Sequence, residues 1–197
     1  MEIGVDRFDA AVAAFARANA ADPHQLMDHG VSRPREVVQA ERLAAWIDRV
    51  APNASEPLRL AAHCQHLCRW EIPRATYPEG RTGYLQWRKD LSRFHASRAG
   101  EILRSVGYDD AIIERVADIN QKRALKLDSD VQTMEDALCL AFLEHELEDF
   151  STKHAPDLVV DILKKSWRKM SDAGHERALA LPLSESVKPL VLRALAS

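Results

Sequence analysis

The stretch Ala61-Ala62-His63-Cys64-Gln65-His66-Leu67-Cys68-Arg69-Trp70 combines small apolar residues with two histidines, a glutamine and two cysteines. Its apolar positions predict one helical run, and the basic, proline-containing loop Glu71-Ile72-Pro73-Arg74 behind it ends that run. A helix that only packs against its neighbours does not need this mixture of side chains. We therefore interpret the stretch as the floor of a polar site inside a helical fold.

The composition indicates a globular chain. Of 197 residues, 46% are hydrophobic and 29% are charged, and the net charge of −3 argues against a general nucleic-acid binder. No apolar run approaches the length of a membrane span, and the first 20 residues lack the layout of a signal peptide. The three cysteines suit a reducing compartment. We expect a cytoplasmic protein with no membrane partner.

Helical periodicity and its breaks predict an all-α bundle of about seven or eight helices. Asp22-Pro23, Pro52-Asn53 and Gly107 end helices, whereas Ser55 and Asp128 begin them. Residues 24–33 are predicted as a loop, and no stretch predicts a strand. The predicted helices cover residues 5–20, 34–51, 55–70, 84–106, 109–125, 128–154, 155–174 and 184–195. We expect one domain over residues 1–197, with a core at about 22–169 and a C-terminal helical tail at 175–197.

A long loop between Trp70 and Gly83 is rich in side chains that bind ligands. The residues from 69 to 98 include seven basic and three acidic side chains, whereas those from 128 to 161 include ten acidic and one basic. A solvated face explains either run, and the alternative is an anion-binding pocket facing a metal-binding one. In that alternative the loop covers the pocket, with Arg69 or Arg74 facing inward. The candidate substrate-binding residues are Arg69, Trp70, Arg74, Tyr77, Arg81 and Arg88.

Four polar residues lie on helical faces that are otherwise apolar, and each falls in a different predicted helix. They are Glu41, His66, His95 and Asp136. Since an unpartnered buried carboxylate costs several kcal/mol, such residues usually have partners. Together they would form a mixed oxygen and nitrogen site for a divalent metal: iron, manganese, zinc or nickel. The alternative is that each is a hydrogen-bonded group of the core.

Two further polar residues complete the candidate catalytic set. Gln65 is adjacent to His66, and Glu135 lies on an apolar stripe with Val131 and Leu138. Cys64 and Cys68 lie four residues apart on one predicted helix, which is not the paired-knuckle pattern of a zinc finger. We interpret these cysteines as buried structural residues.

Three segments resemble a known family. The segments "RLAAHCQHLCRWEIPR", "YLQWRKDLSRFHASRAGEIL" and "QTMEDALCLAFLE" are similar to domain-of-unknown-function family 4202, over about Asp22 to Lys169. Their W-x-I-P-R and Y-x-x-W-R elements are specific to it. This family implies no activity.

A more distant resemblance is to the HD superfamily of helical, metal-dependent phosphohydrolases. The segment "AAHCQHL" at 61–67 falls where that superfamily carries a His-Asp doublet, with Gln65-His66 in its place. Glu41 falls where the superfamily has its first histidine, and Asp136 where it has its last aspartate. His95 falls in the helix that bears further histidines in many members. The resemblance implies an HD-like fold with a one-metal site formed by these side chains, or an HD fold that has lost its metal.

Three hypotheses follow for the function. The first is a metal-dependent hydrolase that acts on a small phosphorylated or otherwise anionic substrate. The second is a non-haem iron oxidase or oxygenase on the same scaffold. The third is a non-catalytic anion-binding or scaffold protein. The sequence leaves the oligomeric state open, a homodimer included.

Overall fold

The computed structural model describes residues 6–195. This part of the chain contains ten α-helices and one short antiparallel hairpin, which confirms the predicted all-α class. The chain divides between Arg123 and Ala124 into two compact units. The prediction of a single domain stays a prediction.

The first unit is built on five helices whose apolar faces form its core. Helix α1 contributes Phe15, α2 Ile47, α3 Leu60, α4 Leu103 and α5 Ile119, all of which are fully buried. The α4 helix packs on α5, and α3 packs on α1, α2 and α5. The elements are α1 (Arg7–Asn19), β1 (Gln25–Asp28), β2 (Val31–Pro34), α2 (Arg35–Val50), α3 (Glu56–Cys64), α4 (Gly80–Ser105) and α5 (Asp110–Asn120).

Side-chain caps fix where several helices begin. The Ser55 hydroxyl accepts from the backbone N–H of Leu58 at 3.2 Å, and the Asp109 carboxylate accepts from that of Ile112 at 2.9 Å. Each satisfies an N–H that has no partner inside the helix. The helix starts predicted at Ser55 and Asp109 are therefore confirmed.

The hairpin of β1 and β2 corrects the prediction of a loop at 24–33. Its strands pair in antiparallel register from Gln25 opposite Pro34 to Asp28 opposite Val31. The two-residue turn is His29-Gly30, with φ of 48° and 82°. Positive φ at both central positions matches the twist of a hairpin turn, and glycine adopts it without strain. The strands are four residues long and lack a clear apolar alternation, so their periodicity did not predict them.

The segment after α3 also differs from its prediction. The helix ends at Cys64, and the chain continues as a turn into short 3-10 segments at Arg69–Glu71 and Arg74–Thr76. Cys68 has a left-handed backbone with φ of 53°, which a helix does not permit. The next helix begins at Gly80, earlier than the predicted Tyr84.

The described part of the second unit contains five helices. Two predicted helices are each divided in two, which accounts for the larger number of helices. The first break falls at Glu146, and the second lies between Trp167 and Asp172, where Ser171 caps a new helix through Gly174 N–H at 3.1 Å. The elements are α6 (Ser129–His145), α7 (Leu147–Lys153), α8 (Pro156–Trp167), α9 (Asp172–Leu179) and α10 (Lys188–Leu195).

Within residues 6–195, no helix has the length and apolar character needed to cross a membrane.

Candidate functional site

A cavity of about 220 Å³ opens in the first unit. Three segments of that unit line it: the turn after α3, the middle of α4 and the end of α5. The lining residues are Gln65, His66, Arg69, Arg88, Lys89, Leu91, Ser92, His95, Asn120, Gln121 and Lys122.

One face of α4 forms a wall of the cavity. Arg88, Leu91, Ser92 and His95 are spaced three and four residues apart, so their side chains lie on the same side of the helix. Leu91 and His95 are buried, whereas Arg88 and its neighbour Lys89 are exposed. This wall therefore changes from apolar and neutral in the interior to cationic at the mouth.

The turn after α3 is held in place by hydrogen bonds to other elements. The Asn19 side chain accepts from the Cys68 backbone N–H at 3.0 Å and donates to the Glu36 carbonyl at 3.3 Å. Trp87 Nε1 donates to the Ile72 carbonyl at 2.9 Å. These bonds fix both ends of the segment that carries Arg69, whose guanidinium lies 5.1 Å from the centre of the Trp87 ring.

The end of α5 forms the third wall. Asn120 is the last residue of the helix, and Lys122 has a left-handed backbone with φ of 56°. The turn brings Asn120, Gln121 and Lys122 to the cavity together.

The charge around the cavity is positive. Arg69, Arg88, Lys89 and Lys122 line it, and no aspartate or glutamate of the described residues 6–195 does. Arg69 and Lys122 take part in further interactions of the chain, whereas Arg88 and Lys89 form no ion pair with a carboxylate among residues 6–195. The ends of α3 and α5 oppose this charge with about half a negative charge each. Four full positive charges exceed that contribution.

Both histidines of the cavity are held neutral near pH 7. Burial is the main cause that lowers the pKa of His66 well below its ordinary value, and the charges of Arg69, Arg88 and Lys122 lower it further. Burial likewise lowers the pKa of His95, to about 4. The hydrogen bond to Leu67 raises this pKa, but burial has the larger effect. The two rings meet edge to face, with centroids 6.0 Å apart.

The tautomer of His95 follows from its partner. Its Nδ1 lies 2.7 Å from the Leu67 carbonyl oxygen, which only accepts hydrogen bonds, so Nδ1 carries the proton. Nε2 is then an acceptor, and it is buried with no hydrogen-bond partner among the described residues.

Comparison with known proteins places the chain in a family. The family model described as "Domain of unknown function (DUF4202)" matches residues 9–191. The chain belongs to this family. No curated protein matches the chain, and no solved structure matches it. The resemblance to the 4202 family is thus confirmed, whereas the HD-like fold and the HD ligand pattern stay predictions.

In this member of the DUF4202 family, the cavity unites five of the residues predicted from sequence. They are Gln65, His66, Arg69, Arg88 and His95. Arg69 lines the cavity, whereas no residue from Trp70 to Gly83 does, so the predicted covering of the cavity by this loop stays a prediction. Arg74 does not line the cavity. It donates to the carbonyls of Tyr77 and Pro78, at 3.0 and 2.9 Å, and so stabilises the loop that contains it.

The remaining candidates of the loop do not line the cavity. The Tyr77 hydroxyl donates to Asp90 at 3.2 Å and ties the loop to α4. Trp70 and Arg81 are also outside the lining.

The apolar neighbours of Glu41 had suggested a buried position, but its side chain is 53% exposed. Its carboxylate accepts hydrogen bonds from Nη1 and Nη2 of Arg33, at 2.8 and 2.7 Å. The hairpin, which the sequence did not predict, supplies that arginine.

Asp136 and Glu135 belong to the second unit. Asp136 accepts from the backbone N–H and the hydroxyl of Ser171, at 2.8 and 2.5 Å, and from Gln132 at 3.0 Å. It thereby fixes the start of α9 against α6. Glu135 is buried, with the Lys169 ammonium 3.5 Å away.

The donor set does not fit a metal centre. Residues 6–195 include no group of three or more histidine, cysteine, aspartate or glutamate side chains that could hold a metal ion. The four cations around His66 and His95 would also repel a divalent ion. The metal site stays a prediction without geometric support.

Several lining residues escaped the sequence analysis. Lys89, Ser92, Gln121 and Lys122 are ordinary surface types in sequence, and only the fold brings them to one cavity. Asn120 could have been predicted from the sequence, because it adjoins Ile119 and follows Val116 by four residues on the apolar face of α5.

Proposed function

We propose that the first unit binds a small phosphorylated ligand in this cavity. The observation that supports the proposal is a cavity lined by four cationic side chains and no carboxylate. Arg88 and Lys89 are central to it, since no described carboxylate pairs with either. An anion would supply the missing counter-charge.

The chemistry of the cations favours phosphate as the anionic group. The fork of an arginine guanidinium matches two oxygens of a phosphate, and lysine adds a mobile point charge. The volume of about 220 Å³ lies below the 300–1,000 Å³ that is usual for drug-sized ligands. The ligand is therefore a small molecule, because a cavity of this volume does not suit a nucleic-acid duplex.

Calorimetric titration with inorganic phosphate tests this proposal, with Arg88→Ala as the informative variant. Arg88 lines the cavity, so its loss should weaken phosphate binding by about ten-fold or more, which is the effect of one charge-assisted hydrogen bond. Arg93→Ala is the matched control, because Arg93 is an exposed, unpaired arginine on the same helix outside the cavity. Absence of phosphate binding, or equal losses in the two variants, would refute the proposal.

Cleavage of the phosphate ester is a second candidate, and His66 favours it. The His66 side chain lines the cavity, is partly exposed and forms no hydrogen bond with the described residues. A neutral imidazole beside a bound phosphate is suited to take a proton from an attacking water. The water oxygen then forms a bond to phosphorus as the P–O bond to the alcohol breaks, and the imidazolium gives its proton to the leaving alkoxide, so that phosphate and the alcohol are released. The bound dianion would offset the cations and raise the pKa of His66.

Phosphate release from a panel of phosphate esters tests this second candidate. His66→Gln should abolish release while inorganic phosphate still binds, because the four cations remain. Binding without release in the unaltered protein would instead support the non-catalytic hypothesis.

The metal-dependent hydrolase and the iron oxidase need a ligand set that the described residues do not offer, and we derive no step through a metal. Mass-spectrometric metal analysis of freshly purified protein tests both.

The three cysteines are buried and free, which supports the proposed cytoplasmic location.

A further inference from the structure

Three residues that line the cavity carry a buried hydrogen-bond acceptor that no donor among residues 6–195 satisfies. The acceptors are Oε1 of Gln65, Nε2 of His95 and Oδ1 of Asn120. The three residues are only 8%, 3% and 3% exposed. Buried polar groups of folded proteins nearly always have partners, so three such groups beside one cavity indicate a ligand.

The neighbours of these atoms fix them as acceptors. Gln65 Nε2 donates to the Asn120 carbonyl at 3.4 Å, so Oε1 is the other atom of its amide. The Leu67 carbonyl holds the proton on His95 Nδ1, so Nε2 has a free lone pair. The Cys64 thiol donates to the Ala61 carbonyl at 3.7 Å, so its sulfur accepts from Asn120 Nδ2 at 3.2 Å and leaves Oδ1 open.

A ligand must therefore bring donors as well as negative charge. Ammonium donors are disfavoured, because Arg69, Arg88, Lys89 and Lys122 surround the same cavity and repel a cation. Neutral donors remain, and the hydroxyl group is the smallest of them, which suits the small volume of the cavity. They also suit the imidazole of His95, which accepts a hydrogen bond without being protonated.

Building on the proposed phosphate binding, we infer that the ligand is a small polyol phosphate: a phosphate ester whose carbon chain carries several hydroxyl groups. The phosphate group lies against the cationic mouth formed by Arg88 and Lys89. The hydroxyl groups reach inward and donate to Gln65, His95 and Asn120. The small volume of the cavity limits the chain to a few carbons.

Matched pairs of ligands test the inference on the unaltered protein. Each polyol phosphate is compared by calorimetric titration with the straight-chain alkyl phosphate of equal carbon number. The pairs are glycerol 3-phosphate with n-propyl phosphate, erythritol 4-phosphate with n-butyl phosphate, and sorbitol 6-phosphate with n-hexyl phosphate. The members of a pair have equal charge and differ in their hydroxyl groups. We expect at least one polyol to bind ten-fold or more tightly than its alkyl partner, about 1.4 kcal/mol.

Two variants then locate the effect. Gln65→Met removes one acceptor at nearly constant volume and should reduce the preference for the polyol several-fold, with the affinity for the alkyl phosphate unchanged. Gln86→Met is the matched control, because Gln86 is an exposed glutamine of α4 outside the cavity. Asn120→Leu serves as a second acceptor variant if Gln65→Met does not fold.

The outcomes separate this inference from the proposal beneath it. Equal binding of the polyol and alkyl phosphates in all three pairs would overturn the inference and leave phosphate binding intact. A polyol preference that Gln65→Met and Asn120→Leu both leave unchanged would also overturn it. Absence of binding by every phosphate, inorganic phosphate included, would refute the proposed function itself.

Discussion

His95 connects the stability of the first unit to pH. This residue is 3% exposed, and its pKa is lowered to about 4 from an ordinary value of 6.5, mainly by burial. The positive charges of Arg69 and Arg88 lower the pKa further. Protonation of this side chain therefore occurs more readily in the unfolded chain than in the folded one.

The predicted consequence is a stability contribution that is present above about pH 6.5 and is lost as the pH falls towards 4. The unfolded state binds the proton first, so this group alone lowers the free energy of unfolding by about 3 kcal/mol over that range. His95→Asn keeps a donor for the Leu67 carbonyl and removes the titration. Chemical unfolding at several pH values should show the difference between the protein and this variant shrinking from pH 7 to 4.5. A constant difference would contradict the assigned pKa.

Single residues also show how much of the candidate site could be predicted from the sequence. Polar residues on apolar faces included His95 and Asp136, which are buried as that pattern implies. Glu41 shared the pattern and is exposed, and its carboxylate pairs with Arg33 of the hairpin. The pattern identifies which residues need a partner. It does not say which residue supplies one, since that depends on the fold.

Gly83 decides whether the loop before α4 can lie close to the helix. A Cβ atom at this position would overlap the carbonyl group of Pro78, which is backbone and has little freedom to move. The sequence pattern predicted this glycine only as the end of the loop. Its role is to permit close packing within the first turn of α4.

We predict that Gly83→Ala destabilises the protein by about 1–3 kcal/mol, although alanine would stabilise an ordinary helix position by about 1 kcal/mol. The predicted change in stability has the opposite sign to that expected at an ordinary helix position, so its sign alone tests the prediction. Chemical unfolding of Gly83→Ala should be compared with Thr82→Ala, an exposed position of the same turn. Equal or greater stability in Gly83→Ala would show that the loop does not pack against the helix in this way.

In the second unit, the contact between α6 and α9 depends on Asp136. The carboxylate accepts three hydrogen bonds, two of them from Ser171, and a Cβ on Gly174 would lie 2.8 Å from it. We predict that Asp136→Ala lowers the free energy of unfolding by about 1–3 kcal/mol, because buried donors lose their partner. Phosphate binding and metal content should not change. Loss of a bound metal in this variant would restore Asp136 as a ligand.

The elements also show why the fold class was easier to predict than its details. Long periodic stretches such as α2 and α4 determine an all-α chain, and the capping residues fixed several starts. The turn after α3 depends on the left-handed backbone of Cys68, which Asn19 stabilises from a distant helix. No local pattern in the stretch 61–70 reports that contact. His66 consequently lines the cavity from a turn and not from a helix.

The whole chain has a net charge of −3, although the cavity is lined by cationic side chains. The first unit, which contains the cavity, has 18 basic and 17 acidic residues, whereas the second has 9 basic and 13 acidic. Net charge therefore gave no information about the site, and the expectation against nucleic acid that it supported stays a prediction. The basic run between 69 and 98 was the informative signal, since it supplies Arg69, Arg88 and Lys89.

Because attraction of the ligand comes from a local cluster in a chain of opposite net charge, ionic strength should govern affinity. The cluster lies at the mouth of the cavity, where Arg88 and Lys89 are exposed and salt screens their charge. The screening length falls from about 10 Å at 0.1 M salt to about 3 Å at 1 M. We predict that the Kd for inorganic phosphate rises by about ten-fold over this range, measured with a chloride salt. Arg88→Ala should show a smaller rise, and Arg93→Ala should match the unaltered protein. An affinity independent of salt would indicate that neutral hydrogen bonds, and not the cations, hold the anion.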